Sequence, residues 1–270
     1  MNTVTPLLQR YLLDHLLMNR VTCIPALDLL ALLPDASVDA VITDLPYGTT
    51  ACAWDEIIPF APMWAGVKRV LKPRGVFVTT ASQPFTSALV MSNPSWFRYS
   101  WVWVKSKAAD FINANYRPMK AHEDVLVFSA ASAAPGALQI MNYYPQGVRQ
   151  ASIKRKRKGT LGIGRDRESQ QGEYISRGEN YPLSVLDFAS EGGTVHSTQK
   201  PVPLYRYLVR TYTQPGDLVL DFCCGSATTG IACREEGRRF VLGEKDTEIA
   251  ATAQARLDAP YTVNMWAGVA

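Results

Sequence analysis

The feature that most constrains this chain is its alternation of short, continuously apolar runs with longer stretches of helical periodicity. Residues 39–43, 76–80 and 218–222 each contain three consecutive apolar residues, as strands covered on both faces do. Residues 59–71 repeat apolar side chains at helical spacing and run into Lys72, Pro73, Arg74 and Gly75, a stop signal. The spacing predicts further helices over 84–91, 202–212, 227–236 and 246–257, and further strands over 99–104, 124–128 and 239–242. Strands that alternate with helices imply an α/β fold with a mostly parallel central sheet and helices on both of its faces. There are no internal repeats.

Between residues 129 and 194 the periodicity fails, and Gly, Pro, Ser and Arg accumulate. That stretch is too long for an ordinary connection within a sheet. The expected organisation is one domain in two halves, 1–128 and 196–270, flanking an insertion over 129–195 with its own task. Five consecutive cations, Lys154, Arg155, Lys156, Arg157 and Lys158, fall inside it, with Arg165, Arg167 and Arg177 nearby. A charge run of this kind is most often a solvated, flexible segment; its other use is to track phosphates.

Composition removes several classes. With 270 residues, 47% hydrophobic, the chain can bury a full-sized core. No apolar run spans a bilayer and the N-terminus lacks a signal-peptide pattern, so no membrane partner is expected. Five cysteines without Cys-x-x-Cys spacing argue against a disulfide framework and a zinc site. No metal is expected, and a cytoplasmic location fits best.

Two strand ends carry candidate chemistry. After the 218–222 run come Cys223, Cys224, Gly225, Ser226 and Ala227, small residues that let backbone amides approach a ligand. A structural turn or a dinucleotide site would look similar, although Gly-x-Gly-x-x-Gly spacing is missing. Asp221, at the strand's end, caps the following helix or faces a ligand; Cys223 and Cys224 pack rather than react. The strand over 239–242 leads into Gly243 and Glu244, a carboxylate placed to accept from neighbouring hydroxyls.

The sharper feature is Asp44-Leu45-Pro46-Tyr47-Gly48, which follows the 39–43 strand. Asp44 offers a carboxylate. Leu45 offers a carbonyl whose direction is limited because Pro46 holds its predecessor extended. Two such acceptors can take both hydrogens of an amino group conjugated to a ring and free its lone pair. Tyr47 offers a stacking face, and Gly48 leaves room beside it. By itself the segment also reads as a proline turn after a strand.

Asp44-Leu45-Pro46-Tyr47 resembles the Asp-Pro-Pro-Tyr signature of amino-nitrogen (N6-adenine or N4-cytosine) DNA methyltransferases. The block continues through Gly48, Thr49, Thr50, Trp54 and Asp55 as in one branch of that family. His196-Ser197-Thr198-Gln199-Lys200-Pro201 is similar to its Thr-x-Lys-Pro motif, residues 221–230 to its glycine-rich motif, and Gly243-Glu244 to its acidic ribose position. The catalytic motif precedes both cofactor motifs, the permuted order of the beta group. The resemblance runs from about Val21 to Leu257. It departs at Leu45 in place of proline, at Ala227 in place of the second glycine, and at Pro25, near a place where relatives often have an acidic residue.

The resemblance implies a Rossmann-like S-adenosylmethionine-dependent methyltransferase fold, circularly permuted, with a target-recognition insertion. By it, Asp44 and the Leu45 carbonyl hold the amine, with Pro46 fixing the turn, and Tyr47 stacks the base. Ser197, Thr198, Lys200, Asp221, Cys223, Gly225, Ser226 and Glu244 hold S-adenosylmethionine. The cations 154–158 meet phosphates of double-stranded DNA, and Arg117, Lys120, His122 and Glu123 face the region flanking the target. His122 reads as structural rather than catalytic, and Trp101 and Trp103 as packing residues. The implied activity is site-specific methylation of adenine N6 through base flipping, in a bacterial, archaeal or phage-encoded setting. Cytosine N4 is the alternative target, and an inactive DNA-binding relative a further one. A homodimer and a cognate restriction enzyme are the other candidate partners.

Overall fold

In the computed structural model the described residues are 5–50, 52, 55–156, 173–190 and 199–260. They divide into two compact units, one spanning Met1–Tyr144 with Ser184–Ala270 and the other Pro145–Leu183.

In the first unit the strands are β1 (Val21–Cys23), β2 (Val38–Asp44), β3 (Leu71–Ala81), β4 (Phe97–Ala109) and β5 (Lys120–Phe128), then β8 (Val185–Asp187), β9 (Leu218–Asp221) and β10 (Arg239–Glu244). The helices are α1 (Pro6–Leu12), α2 (Ala26–Leu32), α3 (Phe60–Val70), α4 (Phe85–Ser92), α5 (Val202–Tyr212), α6 (Thr228–Glu235) and α7 (Thr247–Asp258). The eight strands form one sheet in the order β1-β10-β9-β2-β3-β5-β4-β8. Only β5 runs against the others. The mostly parallel sheet expected from the alternation is therefore present, and the late strands β9 and β10 lie between β1 and β2, as the permuted motif order requires.

The apolar runs are continuous because both faces are covered. Along β2, Ala40 and Ile42 enter one core layer while Val38 and Val41 enter the other. Val76 and Val78 oppose Phe77 on β3, and Val125 and Val127 oppose Leu126 and Phe128 on β5. The first layer is closed by α5, α6 and α7 through Leu204, Tyr205, Leu208, Ile231, Ala253 and Leu257. The second is closed by α2, α3 and α4 through Leu29, Leu30, Met63, Trp64, Val67 and Leu89. Each fully buried leucine, isoleucine, valine or methionine among them contributes roughly 1.5–3 kcal/mol. Trp101 and Trp103 pack as expected: their indole N–H groups donate to the Tyr212 hydroxyl and the Phe188 carbonyl, each at 2.8 Å.

From β9 the chain crosses through α6 to β10 on one side; from β2 it crosses through α3 to β3 on the other. The neighbours β2 and β9 thus flank a topological switch point, where open parallel sheets bind ligands beyond the carboxyl ends of their strands.

The second unit holds an antiparallel pair, β6 (Arg149–Lys156) and β7 (Glu173–Glu179), with Ile153 opposite Ser176. Lys154, Arg155 and Lys156 therefore lie on a strand rather than in a loop. Arg157, Lys158, Arg165 and Arg167 lie outside the described residues. The pair escapes a periodicity reading because its sequence, Arg-Gln-Ala-Ser-Ile-Lys-Arg-Lys against Glu-Tyr-Ile-Ser-Arg-Gly-Glu, has no continuous apolar face.

Candidate active site

Strand alternation builds the site. Side chains two apart share a face, so Asp44 continues the row of Ala40 and Ile42, and Thr80 that of Val76 and Val78. Glu123 precedes Val125 and Val127 in the same way, and Lys105 follows Trp101 and Trp103. All these apolar residues belong to the layer beneath α5. Register aligns the rows: Asp44 opposes Thr80, and Glu123 opposes Trp103. Four polar residues from four strands therefore converge at one end of a single face.

Asp44 Oδ1 accepts from the Tyr47 hydroxyl at 2.9 Å and from the Thr80 hydroxyl. Its Oδ2 receives the Lys200 ammonium at 2.9 Å. The same ammonium lies 3.2 Å from Glu123 Oε2, while Lys105 pairs with Glu123 Oε1. Lys200 is 9% and Glu123 8% exposed, so water contributes little around that pair, whereas the Asp44 side chain is 28% exposed. Burial works against the charge on Lys200, but Asp44 and Glu123 outweigh it and hold its pKa above the usual value. Burial likewise opposes ionisation of Glu123; Lys200 and Lys105 reverse the balance and bring it below the usual range. Burial, then Asp44 and Glu123, push the Tyr47 phenol well up, so it stays a donor.

The turn after β2 is fixed locally. Leu45 is 3% exposed and its side chain belongs to the core, so what it can offer the site is its backbone carbonyl. Tyr47 stacks on Phe85, with ring centroids 5.2 Å apart. Gly48 adopts φ +65°, and a Cβ there would lie 2.8 Å from Ile57 Cγ1. Asp55 accepts from the amides of Gly48, Thr49 and Thr50 at 2.9, 2.9 and 2.7 Å. Burial raises the Asp55 pKa, yet these hydrogen bonds, together with one from the Thr50 side chain, bring it below the ordinary range. Trp54 lies outside the described residues.

Across the switch point, Asp221 is 2% exposed. Its Oδ1 accepts from Thr43 at 2.7 Å and from the Cys223 amide at 3.1 Å, and its Oδ2 accepts from Thr229 at 2.5 Å. The side chain ties the end of β2 to the turn after β9 and to α6. In that turn Gly225 has φ +49° with open space where a Cβ would stand. Ala227 is also left-handed, φ 62° and ψ 30°. Glu244 Oε2 accepts from the Gly225 amide at 3.1 Å and Oε1 from the Asp246 amide at 3.0 Å. Ser226 accepts from Arg256 through its carbonyl and hydroxyl. Burial pushes the Cys223 and Cys224 thiols well up, in keeping with packing rather than reaction.

The structure thus brings together Asp44, Leu45, Pro46, Tyr47, Lys200, Asp221, Cys223, Gly225, Ser226 and Glu244 around one switch point. Ser197 and Thr198 lie outside the described residues. Three expectations change. Lys200, expected to hold the cofactor, pairs instead with Asp44 and Glu123, whose carboxylates outweigh the cost of burying its charge. Glu123 belongs to the ion cluster on Asp44 rather than to a surface flanking the target, because its parity on β5 turns it toward α5. His122, one residue away, is exposed by the same parity and supports no core. Lys105 and Thr80 were not anticipated; counting back by twos from Val125 and forward from Trp103 and Val78 would have found the cluster.

A family model described as DNA methylase matches residues 38–255. The type II methyltransferase M.HpaI of Haemophilus parainfluenzae is 26% identical over 263 residues, 90% of this chain and 75% of that protein. The PvuII DNA methyltransferase, cytosine-N4-specific, superposes with a TM-score of 0.61 at 18% identity, covering 91% of this chain and 88% of the other. The M1.HpyAVI complex with SAM superposes at 0.54 and 23% identity, covering 88% and 98%. The matched span holds both the Asp44 cluster and the Glu244 turn, and the chain belongs to the amino-nitrogen DNA methylase family.

Proposed function

We propose that this protein methylates the N6 amino group of adenine at specific sites in double-stranded DNA. The observation that carries the reading is the junction of β2 and β9, where the Thr43–Asp221 bond sets the Asp44 turn beside the Gly225 turn. The second turn fits S-adenosylmethionine: there is open space beside Gly225, and Glu244 uses one lone pair of each oxygen on backbone amides, leaving acceptors for the ribose hydroxyls. Gly225, Ser226, Cys223 and Glu244 would hold it. When bound, S-adenosylmethionine supplies a methyl group on a sulfonium sulfur.

The chain's own residues make the amine receptive. Flipping the base costs on the order of a few kcal/mol, and the Tyr47 ring offers it a stacking surface. Asp44 Oδ2 and the Leu45 carbonyl accept the two amine hydrogens, which draws the nitrogen toward tetrahedral geometry. Positive charge growing on that nitrogen is stabilised by a carboxylate already held in place by Tyr47 and Thr80, a preorganised effect. Asp44 is also the nearest base for the proton the methylated amine must lose. Lys154 to Lys156, with the rest of the basic run, are the proposed phosphate contacts.

Asp44→Ala should lower the transfer rate by at least about 10²–10³-fold while S-adenosylmethionine still binds. Retained turnover would remove Asp44 from its role. Cytosine N4 is the second reading, favoured by the likeness to the PvuII enzyme; the same acceptors would serve that amine. Digesting methylated DNA to nucleosides and weighing the product distinguishes the two. Retention of DNA without transfer of radiolabelled methyl would mark an inactive relative instead.

A further inference from the structure

The pocket contains more charge than amine activation needs. A carboxylate offers about four lone-pair directions. On Asp44, Oδ1 serves Tyr47 and Thr80, and Oδ2 serves Lys200, so the incoming amine must use Oδ2 beside an ammonium 2.9 Å from it. A cation so close weakens the field that should stabilise charge on the amine, and it competes for the same oxygen. Lys200 has a second carboxylate within reach, Glu123 Oε2 at 3.2 Å. Small rotations about the end of the lysine side chain suffice to exchange one oxygen for the other.

We infer that Glu123 is a positioning residue that takes the Lys200 ammonium off Asp44 when the target amine arrives. This rests on the methyl-transfer reading and adds a residue which that reading does not require. Glu123 is built for such a task. Lys105 holds its Oε1 and itself lies 5.4 Å from the centroid of the Trp103 ring, so Oε2 stays turned toward Lys200. The Tyr47 hydroxyl, 2.9 Å from Asp44 Oδ1, is 3.4 Å from the same Oε2, so a second donor spans the two carboxylates. At 8% exposure, water cannot readily replace Glu123 as the ammonium's partner. A plain structural ion pair needs one lysine for one carboxylate; here one lysine is shared and the other is fixed on the far oxygen.

The test measures methyl transfer from radiolabelled S-adenosylmethionine to duplex DNA by the full chain and its variants. Glu123→Gln should reduce kcat by about 10–100-fold, as loss of a residue that orients a functional side chain does. KM for S-adenosylmethionine and DNA affinity by filter binding should stay near wild type, while Tm should fall because two partly buried lysines lose a carboxylate partner. Glu123→Asp, which keeps the carboxylate, should recover part of the rate. Glu123→Gln combined with Lys105→Met returns the cluster to its original net charge without the second carboxylate, and should remain slow. Wild-type kcat in Glu123→Gln overturns the inference. So does recovery in the double variant, which would make net charge sufficient, or a loss confined to KM or DNA affinity. If the wild-type chain itself transfers no methyl to DNA, the functional reading fails first and the role of Glu123 goes with it.

Discussion

The surroundings of Asp221 oppose its charge. Burial pushes its pKa up to about 7, and the nearby Asp44 charge adds to that; hydrogen bonds from Thr229, Thr43 and the Cys223 amide only partly oppose it. A carboxyl raised in the fold and ordinary in the unfolded chain binds more protons when folded between those two values. Its contribution to stability is therefore fully present below about pH 4 and is lost progressively as pH rises toward 7. Asp55 and Glu123, both held low, work in the opposite sense, so the wild-type profile alone mixes these effects. Asp221→Asn separates them. The unfolding free energy of wild type relative to that variant should fall between pH 4 and pH 7 and level off above. Urea denaturation at stepped pH measures the difference, and a flat difference would mean that Asp221 titrates normally. Asp221 also shows where residue-level reading stops. Its place at a strand end was legible, but both of its roles stayed open until Thr43 and Thr229 appeared around it, and those are 178 and 8 positions away.

At the level of elements, what was legible is what packing made periodic. Helix α5 occupies Val202–Tyr212 as its spacing predicts, because a buried stripe of Leu204, Tyr205, Leu208 and Val209 dictates its phase. Strands β2, β3 and β9 stood out because both faces are covered. Strand β1 escaped because three edge residues carry no period, and β6 and β7 because they have no continuous apolar face. The cap of α6 departs from the family pattern at one residue. Ala227 stands where a second glycine is usual and still adopts the left-handed conformation, fully buried. That conformation costs an alanine roughly 1–2 kcal/mol, while its buried methyl contributes about 0.8 kcal/mol. Ala227→Gly should therefore change stability by no more than about 1 kcal/mol. Ala227→Val, β-branched and without space, should lose upwards of about 2 kcal/mol and weaken S-adenosylmethionine binding through the displaced Gly225 turn. Chemical denaturation and calorimetric titration read the two effects separately. A tolerated valine would mean that the turn is not under backbone constraint.

For the molecule as a whole, chemistry and charge are divided between the two compact units. The sheet unit contains Asp44, Lys200, Glu123 and Glu244, and the β6–β7 unit contains the start of the basic run. The formal net charge is +4, so the five cations at 154–158 alone exceed the chain's positive excess. Phosphate contacts release condensed counterions, and each one lost should reduce the slope of log affinity against log salt by roughly 0.9 for duplex DNA. Replacing Lys154, Arg155, Lys156, Arg157 and Lys158 by glutamine should therefore weaken DNA binding most at low salt and flatten that slope. S-adenosylmethionine affinity should not move, because the residues proposed to hold it belong to the other unit. The pattern differs from that expected of Asp44→Ala, which removes catalysis and leaves the salt slope intact. Parallel salt titrations of wild type and the quintuple variant would decide the matter. Superimposable slopes would put the run in solvent and send the search for phosphate contacts to Lys107, Arg117 and Lys120 on and around the β4–β5 hairpin.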